Sequence, residues 1–165
     1  IPARPDLVEG LKAGDIVDVS GTIATVNGER VIAQATHVYT GSDKPIKPVC
    51  IVGKSILSPP GVSGFEQGGN PETPTLDMLG LEVTLFGRVT AADTGWFVID
   101  DGCRIDSKRG VTGIEIRCDG APTVGGTPVI VGMHLAVTGV LCRELVGDQP
   151  VTVLRLIPGK LARFD

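Results

Sequence analysis

An Asn-Gly pair at residues 27–28 stands between two alternating runs, DIVDVSGTIATV before it and ERVIAQATHVY after it. Asn and Gly both tolerate the positive φ that a two-residue hairpin turn demands. The pattern therefore predicts a β-hairpin with strands over residues 16–25 and 30–39. Apolar residues here recur at every second position, which is the period of a half-buried strand and not of a helix. The same grammar continues along the chain. Glycine occurs 23 times and proline 12 times in 165 residues, and the 42% of hydrophobic residues draws mostly on Val, Ile and Leu. Many short β-branched runs separated by Gly/Pro turns fold as a sandwich or a barrel.

Further strands are predicted over residues 49–52, 81–91, 96–101, 113–119, 133–141 and 151–157. Gly87 marks a bend in the first long one, as glycine does at barrel corners. The stretch GAPTVGGTPVIV at 120–131 is too rich in glycine and proline to form a helix. Residues 57–79, with four prolines and four glycines, read as a long connection between two parts. The expected organisation is a partial β-unit over 1–56, an ordered Pro/Gly-rich linker over 57–79, and a five-stranded barrel over 80–165.

Part of the chain resembles another part. Gly14-Asp15-Ile16-Val17-Asp18-Val19-Ser20-Gly21 aligns without gaps to Gly132-Met133-His134-Leu135-Ala136-Val137-Thr138-Gly139. Chance similarity between two glycine-kinked strands is one reading. The other is that residues 12–40 are the last two strands of a barrel whose first three are missing. A half barrel leaves open strand edges, which proteins avoid. Completion from residues 46–56, from the barrel at 80–165, from an upstream segment or from another subunit are the alternatives.

Trp96-Phe97-Val98-Ile99-Asp100-Asp101-Gly102, followed by Gly113-Ile114-Glu115-Ile116-Arg117, resembles the second and third strands of oligonucleotide/oligosaccharide-binding (OB) domains of the replication protein A type. The shared pattern is an aromatic, an aliphatic run, Asp-Asp-Gly and a Gly-led strand. The chain is also similar to tandem OB-like modules of exported bacterial proteins. The resemblance spans about residues 80–158 and, in part, 12–40. It implies an all-β fold, an OB-type five-stranded barrel preceded by a partial OB-like unit, with a ligand face on the second and third strands. The residues on which such a face would draw are Trp96, Phe97, Lys108, Arg109 and Arg117. The insertion CRIDSKRGVT between Gly102 and Gly113 departs from the pattern.

Composition argues against the usual OB ligand. The formal charge is −4, and the chain has four Phe, one Trp and one Tyr. Phosphate neutralisation and base stacking supply most single-strand affinity, and both are in short supply. Cys50, Cys103, Cys118 and Cys142 are candidates for disulfides in an exported chain, and no CxxC spacing suggests zinc. The segment DDGCRID matches no EF-hand loop. His37 and His134 lie in strands with no nucleophile beside them, and neither a P-loop nor a dinucleotide fingerprint occurs. No cofactor is implied, and no apolar window is long enough for a transmembrane helix. A first residue of Ile1 fits a processed export precursor or an excised domain. The expectation is a non-catalytic, extracellular structural or assembly module associating with copies of itself. The alternative is an OB module binding single-stranded nucleic acid or a glycan.

Overall fold

The structure is a computed structural model that describes residues 10–26, 29–56, 78–103, 107, 109–146 and 149–164. It is all-β, with no α-helix among the described residues. The chain divides into two compact units, Ile1–Lys47 and Pro48–Asp165.

The first unit is a long hairpin. Strand β1 (Asp15–Val26) pairs antiparallel with β2 (Glu29–Ser42), in a two-stranded sheet of its own. The predicted Asn27-Gly28 turn itself lies outside the described residues. The ladder slips once between Ile16 and Val17 and again between Ser20 and Thr22. At the second slip β2 carries one extra residue, and Gln34 takes φ 52°. A positive φ is costly for a side chain with a Cβ, so the bulge stores local strain.

The second unit contains β3 (Val49–Cys50), β4 (Glu82–Asp93), β5 (Trp96–Asp100), β6 (Ile114–Arg117), β7 (Thr123–Val124), β8 (Thr127–Pro128), β9 (His134–Val146) and β10 (Gln149–Arg163). Strands β4, β5 and β6 follow one another as an antiparallel meander. Strand β6 then pairs parallel with β10, β10 pairs antiparallel with β9, and β9 pairs antiparallel with β4. The six-stranded mixed sheet thus curls into a ring, with β3 laid parallel on the outer edge of β4. Ring closure removes the free edges of these five strands.

Alternation along each strand sends one set of side chains inward. Val83, Leu85, Val89, Phe97, Ile99, Ile114, Ile116, Leu135, Val137, Leu141 and Leu154 fill the ring, and Ile56 and Val129 join them. Each such side chain contributes roughly 1.5–3 kcal/mol by leaving water. Gly87 sits where β4 turns between its two partners. A Cβ there would meet the carbonyl oxygen of Asp100 at 2.6 Å, so only glycine allows β5 this close.

The boundary expected after residue 56 falls instead between Lys47 and Pro48. Residues 49–56 belong with the barrel. Strand β3 pairs with Val83 and Thr84, Ile56 is buried in the core, and the Gly53 N–H donates to Asp101 Oδ2 at 2.5 Å. Of the connection predicted over 57–79, residues 57–77 lie outside the described residues. The Gly/Pro-rich stretch 120–131 is a small hairpin, β7–β8, turning on Gly125 and Gly126 with φ 56° and 79°. Strands β9 and β10 run beyond the predicted 133–141 and 151–157. Arg143 and Glu144 interrupt the apolar alternation, yet backbone pairing continues to Val146 and Gln149. No disulfide joins Cys50, Cys103, Cys118 or Cys142.

Candidate binding face of the barrel

Strand alternation splits the aromatic pair at the start of β5. Phe97 points inward and is fully buried in the core, so it offers nothing to a surface ligand. Trp96 points outward and is half-buried. It lies opposite Arg117 of β6, which lies beside Arg155 of β10 in the parallel pair. The structure therefore brings Trp96, Arg109 and Arg117 together on the outer face of β5 and β6. Lys108 lies outside the described residues.

Arg109 comes from the loop inserted between β5 and β6, and its guanidinium sits 4.0 Å from the centre of the Trp96 ring. The same side chain reaches Glu115, with Nε 3.1 Å from Oε2. Glu115 is on β6 between inward-facing Ile114 and Ile116, so it points to the outer face, but its side chain is only 1% exposed. Arg117 closes the other side, with Nη2 3.0 Å from Glu115 Oε1. Arg117 Nε also lies 3.2 Å from Glu144 Oε2, and Glu144 Oε1 accepts from Arg155 Nη2. The hydrogen bond to Glu144 holds the Arg155 guanidinium above its ordinary pKa. A continuous chain results: Trp96, Arg109, Glu115, Arg117, Glu144, Arg155.

This network keeps one positive charge in excess, since three guanidinium groups face two carboxylates. A buried carboxylate between two arginines is compensated, whereas the same carboxylate left with one partner is costly. The cation–π contact adds roughly 0.5–2 kcal/mol for the Arg109–Trp96 pair. Chemically the network works as a clasp. It holds Arg109 over a face of the Trp96 ring on which a base or sugar would stack. Glu144 was not legible as a site residue because it lies beyond the apolar run of β9, and Arg155 because a charge inside the alternating run 151–157 reads as a plain solvent-facing position. Their only sequence signal was charge inside a strand.

Beside the clasp is a cleft of about 420 Å³, lined by Gly95, Arg117, Cys118, Asp119, Glu144 and Arg155, among others. Burial pushes the Cys118 thiol above its ordinary pKa, with Asp119 acting in the same direction. A thiol held protonated is a poor nucleophile. Its sulfur lies 3.6 Å from the Gly120 carbonyl oxygen.

The Asp-Asp-Gly turn is held by its own backbone. Asp100 Oδ1 accepts from the Gly102 N–H at 3.0 Å, and Asp101 Oδ1 from the Cys103 N–H at 3.1 Å. Burial raises the Asp101 pKa, but hydrogen bonds from the Cys103 side chain and from backbone N–H groups outweigh it and leave the pKa lowered. Asp106 lies outside the described residues. Among the described residues, no three His, Cys, Asp or Glu side chains converge as a metal site. His134 leans on Phe164, with ring centres 6.0 Å apart, and His37 stands opposite Val19 in the hairpin. No helix among the described residues is long and apolar enough to cross a membrane.

Comparison with protein-family models, with curated proteins and with solved structures finds no match to this chain.

Proposed function

We propose that this chain is a non-catalytic assembly module: an OB-type barrel carrying an open strand pair through which it joins further β-structure. The OB assignment is supported by the ring order β4-β5-β6-β10-β9, a meander followed by a parallel join of third to fifth strand. The observation that carries the assembly reading is the hairpin. Ile23, Val38 and Tyr39 are 68%, 65% and 56% exposed, on a two-stranded sheet with no further ladder partner among the described residues. An isolated two-stranded hairpin is at best marginal in water, and exposed apolar strands with open edges are templates for pairing. An exported location belongs to this reading through the resemblance to exported bacterial modules. Size-exclusion chromatography with light scattering over a wide range of concentration tests it. Concentration-dependent association is expected, and a strictly monomeric protein sinks the reading.

The cleft beside Arg117 and Arg155 favours a second reading, a binding module for single-stranded nucleic acid or a glycan. The clasp over Trp96 weighs against it. Titration of Trp96 fluorescence with oligonucleotides and oligosaccharides decides, and an unchanged emission removes it.

A further inference from the structure

The hairpin β1–β2 and the barrel's own hairpin β9–β10 share more than a pattern of valines. Residues 12–15 form a turn with the Asp15 N–H donating to the Lys12 carbonyl at 3.0 Å. Residues 130–133 form the same turn, with the Met133 N–H donating to the Ile130 carbonyl at 3.3 Å. The third residue of each turn is a glycine with positive φ, 100° at Gly14 and 96° at Gly132. Seven residues on, Gly21 and Gly139 each press against a backbone carbonyl of the second strand, Ala33 and Arg155 respectively. At that point each second strand bulges, between Ala33 and Thr36 in β2 and between Leu156 and Leu161 in β10. Each bulge contains a residue with positive φ, Gln34 at 52° and Gly159 at 77°. Two strands that merely alternate have no reason to share a turn, a close approach and a bulge at matched positions.

The correspondence assigns a face. Val17, Val19 and Ile23 match Leu135, Val137 and Leu141, all three of which are 0% exposed inside the ring. In the hairpin, Val19 and Ile23 are 46% and 68% exposed. Among the described residues the first strand pair has a core face without a core.

We infer that β1 and β2 are the last two strands of a second barrel, closed by a three-stranded β-unit of the β4–β5–β6 kind that runs into the turn at residues 12–15. This deepens the assembly reading and rests on it for the openness of the hairpin. The β9–β10 pair states what the missing unit must look like. Its first strand runs antiparallel to β1 over residues 16–22, as β4 runs along residues 134–140 of β9. It has apolar residues opposite Gly21 and Val19, where β4 has Val83 and Leu85, and a glycine opposite Val17, where β4 has Gly87. Opposite Ser20 it has a hydroxyl, where Thr84 Oγ1 lies 2.6 Å from Thr138 Oγ1. Its third strand runs parallel to β2, as β6 does to β10.

Counting excludes a second copy acting through the same strands. Among the described residues each chain brings two such hairpins and one β4–β5–β6 unit, and that unit is already closed on β9 and β10. Residues 49–56 are also engaged by the barrel.

The test is a chimera in which residues 80–131 replace residues 1–13, so that a duplicated three-stranded unit leads into Gly14. Amide exchange over residues 16–22 should slow at least ~100-fold in the chimera relative to the parent chain, as fully paired strands require. Val19→Lys should abolish that protection in the chimera and leave the parent's melting curve unchanged. Unchanged exchange in the chimera, or an added segment that stays unstructured, overturns the inference. So does a parent chain destabilised by Val19→Lys as much as the chimera. The two readings separate. A strictly monomeric parent beside a protected chimera ends the assembly reading and keeps the second barrel. A parent whose residues 16–22 are protected only when it associates keeps assembly and ends the three-strand completion.

Discussion

Strands β1–β2 and strands β9–β10 are built alike and live in different surroundings. Both are long antiparallel pairs joined across two residues, and both bend at a glycine beside a bulge. Strand β9 has β4 on its open side and β10 has β6, so Leu135, Val137 and Leu141 are removed from water. Strand β1 has no such neighbour among the described residues, and of the same positions Val19 and Ile23 stand in solvent while Val17 is half-buried. The difference teaches that an inward face is a property of the sheet as a whole. A strand can carry core residues in the right register and still have no core until a third strand arrives.

The comparison is broken or sharpened most strongly by matched truncations. Leu141→Ala should lower the unfolding free energy by about 2–5 kcal/mol, through lost burial and the cavity left behind. Ile23→Ala, its counterpart in the hairpin, should cost no more than about 0.5 kcal/mol, the scale of an exposed site. Urea titrations followed by circular dichroism measure both, and equal losses would mean that the hairpin face is already covered.

The outer face of the barrel gives the next contrast, because it holds a buried charge, Glu115. Glu115→Ala should cost about 2 kcal/mol, since Arg109 loses its carboxylate and Arg117 keeps only Glu144. Arg109→Ala should cost about 1 kcal/mol and shift Trp96 emission to the red as the ring meets water. Calorimetry and emission spectra read these two.

Acid should loosen the barrel at Asp101. The Asp101 pKa is lowered in the folded state from its ordinary 3.8. Its contribution is therefore fully present above that value and is lost as pH falls through the lower, folded one. Asp101→Asn should remove this acid-side loss, seen as a flatter melting temperature below the ordinary carboxylate range. The smallest effect is expected at Gln34. Replacing it by Gly relieves the positive φ at the cost of backbone entropy, a net gain of about 0.5 kcal/mol that amide exchange along β2 would register.

Much of the fold was legible because strands announce themselves locally. Alternation and turn residues placed all but the shortest strands close to where they lie. The ends of β9 and β10 were missed at Arg143 and Glu144, where backbone pairing continues although the apolar signal stops. The short strand β3 was assigned to the hairpin, because nothing local says that Val49 and Cys50 will lie beside Val83 and Thr84. At the candidate face the sequence named Trp96, Arg109 and Arg117. It also named Phe97, since two adjacent aromatics cannot be told apart until one face is known to be inside.

By itself the amino-acid sequence determined the all-β class, the turns and the matched glycines at 14, 21, 132 and 139, because φ and close approach are local demands. Only the tertiary structure decided which of two similar hairpins has a core. It alone showed that Glu115 is clasped by two arginines and that Asp101 holds the segment at Gly53. Those outcomes depend on which strands arrive from elsewhere in the chain, and pairing over such distances leaves no mark on the residues that await it.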